Sequence, residues 1–95
     1  MYYCVAYDVS SARLRRRIVK WCKQAGLRRM QKSVFTGPVP DKQLADLQQN
    51  IKAELSPQDR FFIIPLDKHT LQNIALYGDE ASQFLWQAKP LFQYF

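Results

Sequence analysis

An α+β sandwich, with helices laid on one face of a small sheet, is the fold class this sequence predicts. Two helical patterns with apolar stripes alternate with β-rich apolar runs, and no repeat, linker or low-complexity stretch divides them. The 95 residues suit one domain near the lower limit for an adequate unstapled core, and a 47% hydrophobic content makes it globular. A domain this small, rich in aromatic and basic side chains, gains stability from a partner, so oligomerisation is an early expectation.

Each element follows from its residues. Residues 2–7 are β-rich and nearly all apolar, which suits a strand covered on both faces, and Asp8 closes it. Ser10 or Ser11 caps the helix that follows, and Gly26 stops it. Leu14, Ile18, Trp21, Cys22 and Ala25 recur at steps of three and four as a buried stripe. Arg13, Arg16, Arg17, Lys20 and Lys23 fall mostly on the opposite side. From residue 27 to 35 the pattern turns β-like and ends at Thr36-Gly37-Pro38. It fits one kinked strand or two short strands with a tight turn at Gln31-Lys32. Asp41 is expected to cap a second helix with the stripe Leu44, Leu47, Ile51 and Leu55, ended by Ser56-Pro57. Residues 60–66 supply another apolar strand, where Pro65 marks an edge or a break in pairing.

That order is the ferredoxin-like βαββαβ arrangement, assigned to residues 1–78. Residues 79–95 read as a C-terminal extension, an additional strand or helix packing on the domain, a dimer mate or a partner. Within the tail region, residues 73–77 suggest a short strand and residues 79–89 a helix stopped by Pro90. The closing run Leu91-Phe92-Gln93-Tyr94-Phe95 is too aromatic to stand free in water.

The placement of charge narrows the partner. Between Val9 and Pro40 lie nine basic residues and no acid; the rest of the chain has five basic residues against eight acidic ones, a balance of −3. A solvated helix face would normally mix signs, so this segregation points to a polyanion, with nucleic acid leading. Cys4 and Cys22 form neither a C-x-x-C pair nor a metal cluster and read as reduced core thiols. The first residues lack a leader pattern and no apolar stretch approaches a membrane span, so a cytoplasmic protein is expected.

Asp8 is the first candidate for chemistry. A carboxylate at the end of a buried strand, just before a helix, is held by rigid backbone and faces a crevice. It can accept hydrogen bonds from the turn amides of Val9 to Ala12 or serve the helix cap; it can also hold a cation. Phosphodiester hydrolysis usually needs a metal to polarise phosphate and activate water, and one Asp8 per chain is thin for that. Two copies meeting near a dyad would supply a pair, whose like charges favour a cation between them. His69, alone in a polar stretch, reads as structural or exposed, and Ser10, Ser11 and Ser33 read as caps, turn formers or phosphate donors. No P-loop, dinucleotide fingerprint or zinc pattern is present.

Tyr7-Asp8-Val9-Ser10 at the strand end, the arginine-rich helix, and the stretch Arg29 to Gly37, close to R-x-Q-x-S-V-F-x-G, together resemble the small CRISPR-associated adaptation family Cas2, partner of the CRISPR integrase. The match covers roughly the first two thirds of the chain. The resemblance implies a ferredoxin-like homodimer with a C-terminal strand crossing to the neighbour's sheet. It also implies an endonuclease dependent on Mg2+ or Mn2+, acting on single-stranded RNA or double-stranded DNA, with Asp8 of both subunits catalytic and metal-holding across the dyad. Arg15, Arg17, Arg29 and Phe35 would lie near that site. A scaffold role is implied as well, in which the dimer bridges integrase subunits and holds incoming DNA during spacer acquisition.

With the charge pattern, the nucleic-acid-binding set becomes Arg13, Arg15, Arg16, Arg17, Lys20, Arg28, Arg29 and Lys32, with Tyr7, Ser10 and Phe35 supporting the site. Beyond Gly78 no motif matches, which leaves open any docking by Phe84, Trp86, Phe92 or Phe95. Three functions stand side by side: a metal-dependent nuclease, a non-catalytic DNA-binding scaffold, and a toxin-like ribonuclease of the same fold. The Q-x-S-V-F-x-G stretch weighs against the last.

Overall fold

A computed structural model describes residues 1–75 and Tyr77. Its elements run β1 (Tyr2–Asp8), α1 (Ala12–Gln24), β2 (Arg28–Gln31), β3 (Val34–Pro38), α2 (Asp41–Glu54), β4 (Arg60–Leu66) and α3 (Lys68–Gln72). The sheet order β2-β3-β1-β4 is antiparallel throughout, so α1 joins two strands between which β3 is inserted. This is the split βαβ topology of the ferredoxin-like sandwich.

The two glycines near the α1–β2 corner explain its sharpness. Gly26, at φ +96, donates to the Lys23 carbonyl while Leu27 donates to that of Cys22, the paired bonds of a Schellman cap. A Cβ on Gly37 would sit 3.3 Å from the Gly26 carbonyl oxygen, so β3 passes this corner closely because neither residue carries a side chain. At the other end of α1, Ser11 is the cap, its hydroxyl accepting from the Leu14 amide at 3.1 Å.

The region from residue 27 to 35 resolves into two strands, with the turn at Lys32-Ser33. Arg29 pairs with Phe35 but Gln31 pairs with Val34, which leaves Met30 as the extra residue of a β-bulge. For α2 the expected cap is corrected. Pro40 occupies that position in extended backbone without a side-chain bond, and Asp41 lies in the first turn, where its charge favours the helix N-terminus. Proline sets the entry backbone, so no capping side chain is needed.

The main core lies between the sheet and α1 and α2. Val5, Tyr7 and Phe35 from the sheet meet Leu14, Ile18 and Cys22 of α1 and Leu47 and Ile51 of α2. Burial of each of the Val, Leu, Ile and Phe side chains among them is worth about 1.5–3 kcal/mol against exposure. Burial pushes the Cys22 thiol up to about 12 and makes it an inert core group. The described residues cover the opposite sheet face only in part: Leu71 of α3 packs with Tyr2 and Leu66. Further along this face Phe62 and Ile64 are 52% and 47% exposed beside half-buried Cys4 and Ala6, so the described residues do not cover β1 fully on both sides.

Asp67 caps α3 by accepting from the Thr70 amide at 2.7 Å, and His69 sits exposed on this short helix. Asn73, where a strand was expected to begin, is instead the C-cap of α3. The expected helix 79–89, the aromatic terminus and the boundary at 78/79 lie outside the described residues. Among the described residues no helix is long and apolar enough to cross a membrane.

Candidate nucleic-acid interface

Where β1 ends, the chain must leave the sheet, cross to α1 and pass the β2–β3 turn. These segments enclose a hollow of about 670 Å³ lined by Tyr7, Asp8, Val9, Ala12, Arg15, Arg16, Val19, Arg29, Lys32 and Ser33. Four cations and one carboxylate thus share a single opening. Asp8 is exposed at its rim, opposite Arg60 in the strand register, and among the described residues its carboxylate has no ion-pair partner.

The cations differ in freedom. Arg15 turns back on the loop after Asp8, its Nη1 donating to the carbonyls of Val9 at 2.8 Å and Ser10 at 2.7 Å. Arg29 donates from Nη2 to the Lys32 carbonyl at 2.8 Å and lies 5.8 Å from the Phe35 ring centre. Both guanidiniums therefore shape the walls. Arg16 and Lys32 are exposed and carry no such bond among the described residues, which leaves their donors available to an anion.

Beneath the hollow, the Tyr7 ring stacks between Phe61 at 5.9 Å and Phe35 at 6.4 Å. Its hydroxyl donates to the Lys32 carbonyl at 3.2 Å, and its amide to Ser33, so Tyr7 pins the turn that carries Lys32. Burial pushes the Tyr7 phenol up, with the Cys22 thiol adding to it and Arg29 and Arg15 opposing.

Arg17 stands apart from the other expected site residues. It pairs with Glu54 at 2.6 Å and lies 5.3 Å from the Trp21 ring centre, bracing α1 against α2. Arg13 borders a second hollow, of about 220 Å³, with Ser10, Ser11, Arg17, Glu54, Ser56 and Asp59. Lys20 and Arg28 are exposed on α1 and β2 and do not line the main hollow. Ser10, expected beside the site, does not line the main hollow; its amide and hydroxyl are directed at Asp59.

Asp59 is the residue the sequence reading passed over. It accepts from the Ser56 amide and hydroxyl as well as from Ser10, and burial is outweighed by these bonds, so its carboxyl stays below the usual range. The turn Ser56-Pro57-Gln58-Asp59 carried a signal in its Ser-x-x-Asp spacing.

A family model described as CRISPR associated protein Cas2 matches residues 1–74. A CRISPR-associated endoribonuclease Cas2 of Pyrobaculum aerophilum is 38% identical over 52 residues, 55% of this chain and 57% of that protein. The match therefore spans little more than half of that relative's length. A namesake from Korarchaeum cryptofilum is 30% identical over 63 residues, 65% of this chain and 68% of that one. The crystal structure of Streptococcus pyogenes Cas2 superposes with a TM-score of 0.69 at 26% identity, covering 82% of this chain and all of that one. A hypothetical protein from Thermus thermophilus superposes with a TM-score of 0.68 at 28% identity, over 81% and 89%.

Proposed function

The chain belongs to the CRISPR-associated Cas2 family, and on that premise we propose that it serves spacer acquisition as a homodimer gripping the backbone of double-stranded DNA and bridging integrase subunits. The observation that carries this reading is the hollow at the end of β1, where Arg16 and Lys32 offer free donors on walls fixed by Arg15 and Arg29. Phosphate contacts of this type give affinity without base readout. The sheet face that the described residues leave half bare, with Phe62 and Ile64, supports the homodimer, since a second copy would remove it from water.

A second reading, metal-dependent hydrolysis of RNA or DNA, is favoured by the rim position of Asp8 without an ion-pair partner among so many cations. One chain alone does not fit a divalent ion. Among the described residues no three acidic, histidine or cysteine side chains gather, and the Val9 and Ser10 carbonyls already accept from Arg15. Two Asp8 carboxylates from a homodimer, with waters and phosphate oxygens, would match the one or two carboxylates by which magnesium is commonly held. Mg2+ or Mn2+ held there would polarise the phosphodiester and lower the pKa of water. The chain's own part is to hold the phosphates with Arg16 and Lys32 and to keep Asp8 at a fixed position.

The test compares wild type and Asp8→Asn on labelled single-stranded RNA and duplex DNA, with magnesium, manganese or chelator, scoring binding and cleavage together. Binding that survives the chelator, ignores sequence and weakens steeply with salt is expected of both proteins. Metal-dependent cutting lost only in Asp8→Asn establishes the nuclease; absence of salt-sensitive binding by wild type sinks the whole proposal.

A further inference from the structure

The loop Val9-Ser10-Ser11 carries Asp8 into α1, and it is suspended between two opposite charges. On the side of the hollow, the Arg15 guanidinium holds the carbonyls of Val9 and Ser10. On the far side, Asp59 Oδ1 accepts from the Ser10 amide at 3.3 Å and from its hydroxyl at 3.5 Å. The other carboxylate oxygen, Oδ2, is anchored by the Ser56 amide at 3.2 Å and hydroxyl at 2.9 Å. Asp59 precedes Arg60, and Arg60 is the register partner of Asp8. The same short segment therefore fixes Asp8 twice, once through the sheet and once through the loop that follows it.

We infer that Asp59 is a positioning residue for Asp8, clamping the Val9-Ser10-Ser11 loop so that the carboxylate and the Arg15 wall keep their relation. This rests on the reading that Asp8 is the functional acid. Asp59 itself lines the second hollow and not the first, so it acts without touching nucleic acid bound there. Removing the clamp frees one end of the loop while leaving the main core intact, and sub-ångström looseness at a reacting group is costly in rate.

The experiment uses the full chain as wild type, Asp59→Ala, Asp59→Asn, Asp8→Asn and the double variant Asp8→Asn/Asp59→Ala. Manganese-dependent cleavage of duplex DNA and single-stranded RNA is followed as kcat and KM, and exchange of the Ser10 amide as protection. Asp59→Ala is expected to speed Ser10 exchange and to lower kcat by about tenfold or more with KM little changed. Asp59→Asn, which keeps one accepting oxygen, should recover part of both, and it replaces Asp59→Ala if that variant does not fold. In the Asp8→Asn background the change at residue 59 should cost nothing further in rate. Wild-type kcat in Asp59→Asn and Asp59→Ala, with Asp8→Asn inactive, overturns the positioning role alone. A wild type that does not cut in any condition overturns the Asp8 reading and this inference with it.

Discussion

Replacing Arg16 or Lys32 with alanine should flatten the salt dependence of duplex binding, whereas Arg17→Ala should leave it unchanged. All three are cations in one basic segment, but Arg17 is paired with Glu54 and packed over Trp21, while Arg16 and Lys32 line the hollow with free donors. Each phosphate contact contributes about 0.9 to the slope of log K against log salt on duplex DNA. Each removed contact therefore lowers the slope by about 0.9, or about 1.8 if both copies of a homodimer engage. Between 50 and 200 mM salt this amounts to about 3.5-fold less loss of affinity per contact. Arg17→Ala should instead lower stability by about 1 kcal/mol, the order of a surface pair plus an exposed cation–π contact. Fluorescence anisotropy with a labelled duplex across a salt series reads the slopes, and urea unfolding reads the stability. Equal slopes for Arg16→Ala, Lys32→Ala and wild type would falsify the assignment, as would a loss of slope in Arg17→Ala.

Two other outcomes follow from the fold itself. Gly26→Ala should destabilise by about 1–2 kcal/mol, because φ +96 puts a Cβ in the left-handed region; urea unfolding at neutral pH measures it. Asp59 and Asp67 both have carboxyls held below the usual range, Asp59 by bonds from Ser56 and Ser10 that outweigh burial and Asp67 chiefly by the Thr70 amide. Their contribution is present above the unfolded carboxylate value of about 3.9 and is lost as pH falls through the lower folded values. The thermal midpoint should accordingly hold between neutrality and about pH 5 and fall below about pH 4, and Asp59→Asn should blunt that fall.

The legible parts of the chain are those whose signals are local. Ser11, Gly26 and the apolar stripe at Leu14, Ile18 and Cys22 define α1 before any tertiary contact is known. The alternation in residues 27–35 left a kinked strand and a hairpin equally open, since a bulge at Met30 breaks the period-two pattern that would separate them. Asp67 does not announce itself as the cap of α3, because so short a helix offers little periodicity. At the site, sequence placed Asp8, Arg16 and Lys32 in one basic region, and the hollow gathers them. It could not sort Arg15 and Arg17 from Arg16. That distinction depends on the Val9 and Ser10 carbonyls and on Glu54, brought near by the loop path and by α2. Asp59 escaped for the same reason, lying 49 residues from the loop it holds.

The bulge at Met30 also makes the two margins of the described sheet unlike. Of its two outer strands, β2 has four residues, begins with two arginines and is bent by its extra residue, so it is a poor template for another strand. The other, β4, runs for seven residues in unbroken register with β1, which uses its inward backbone groups and leaves those of alternate residues facing outward among the described residues; Pro65 has no amide. An assembly that grew through both margins could extend without limit into a fibre. With one margin blunted, strand addition would be confined to the other, and a complex built that way would stop at a finite number of chains.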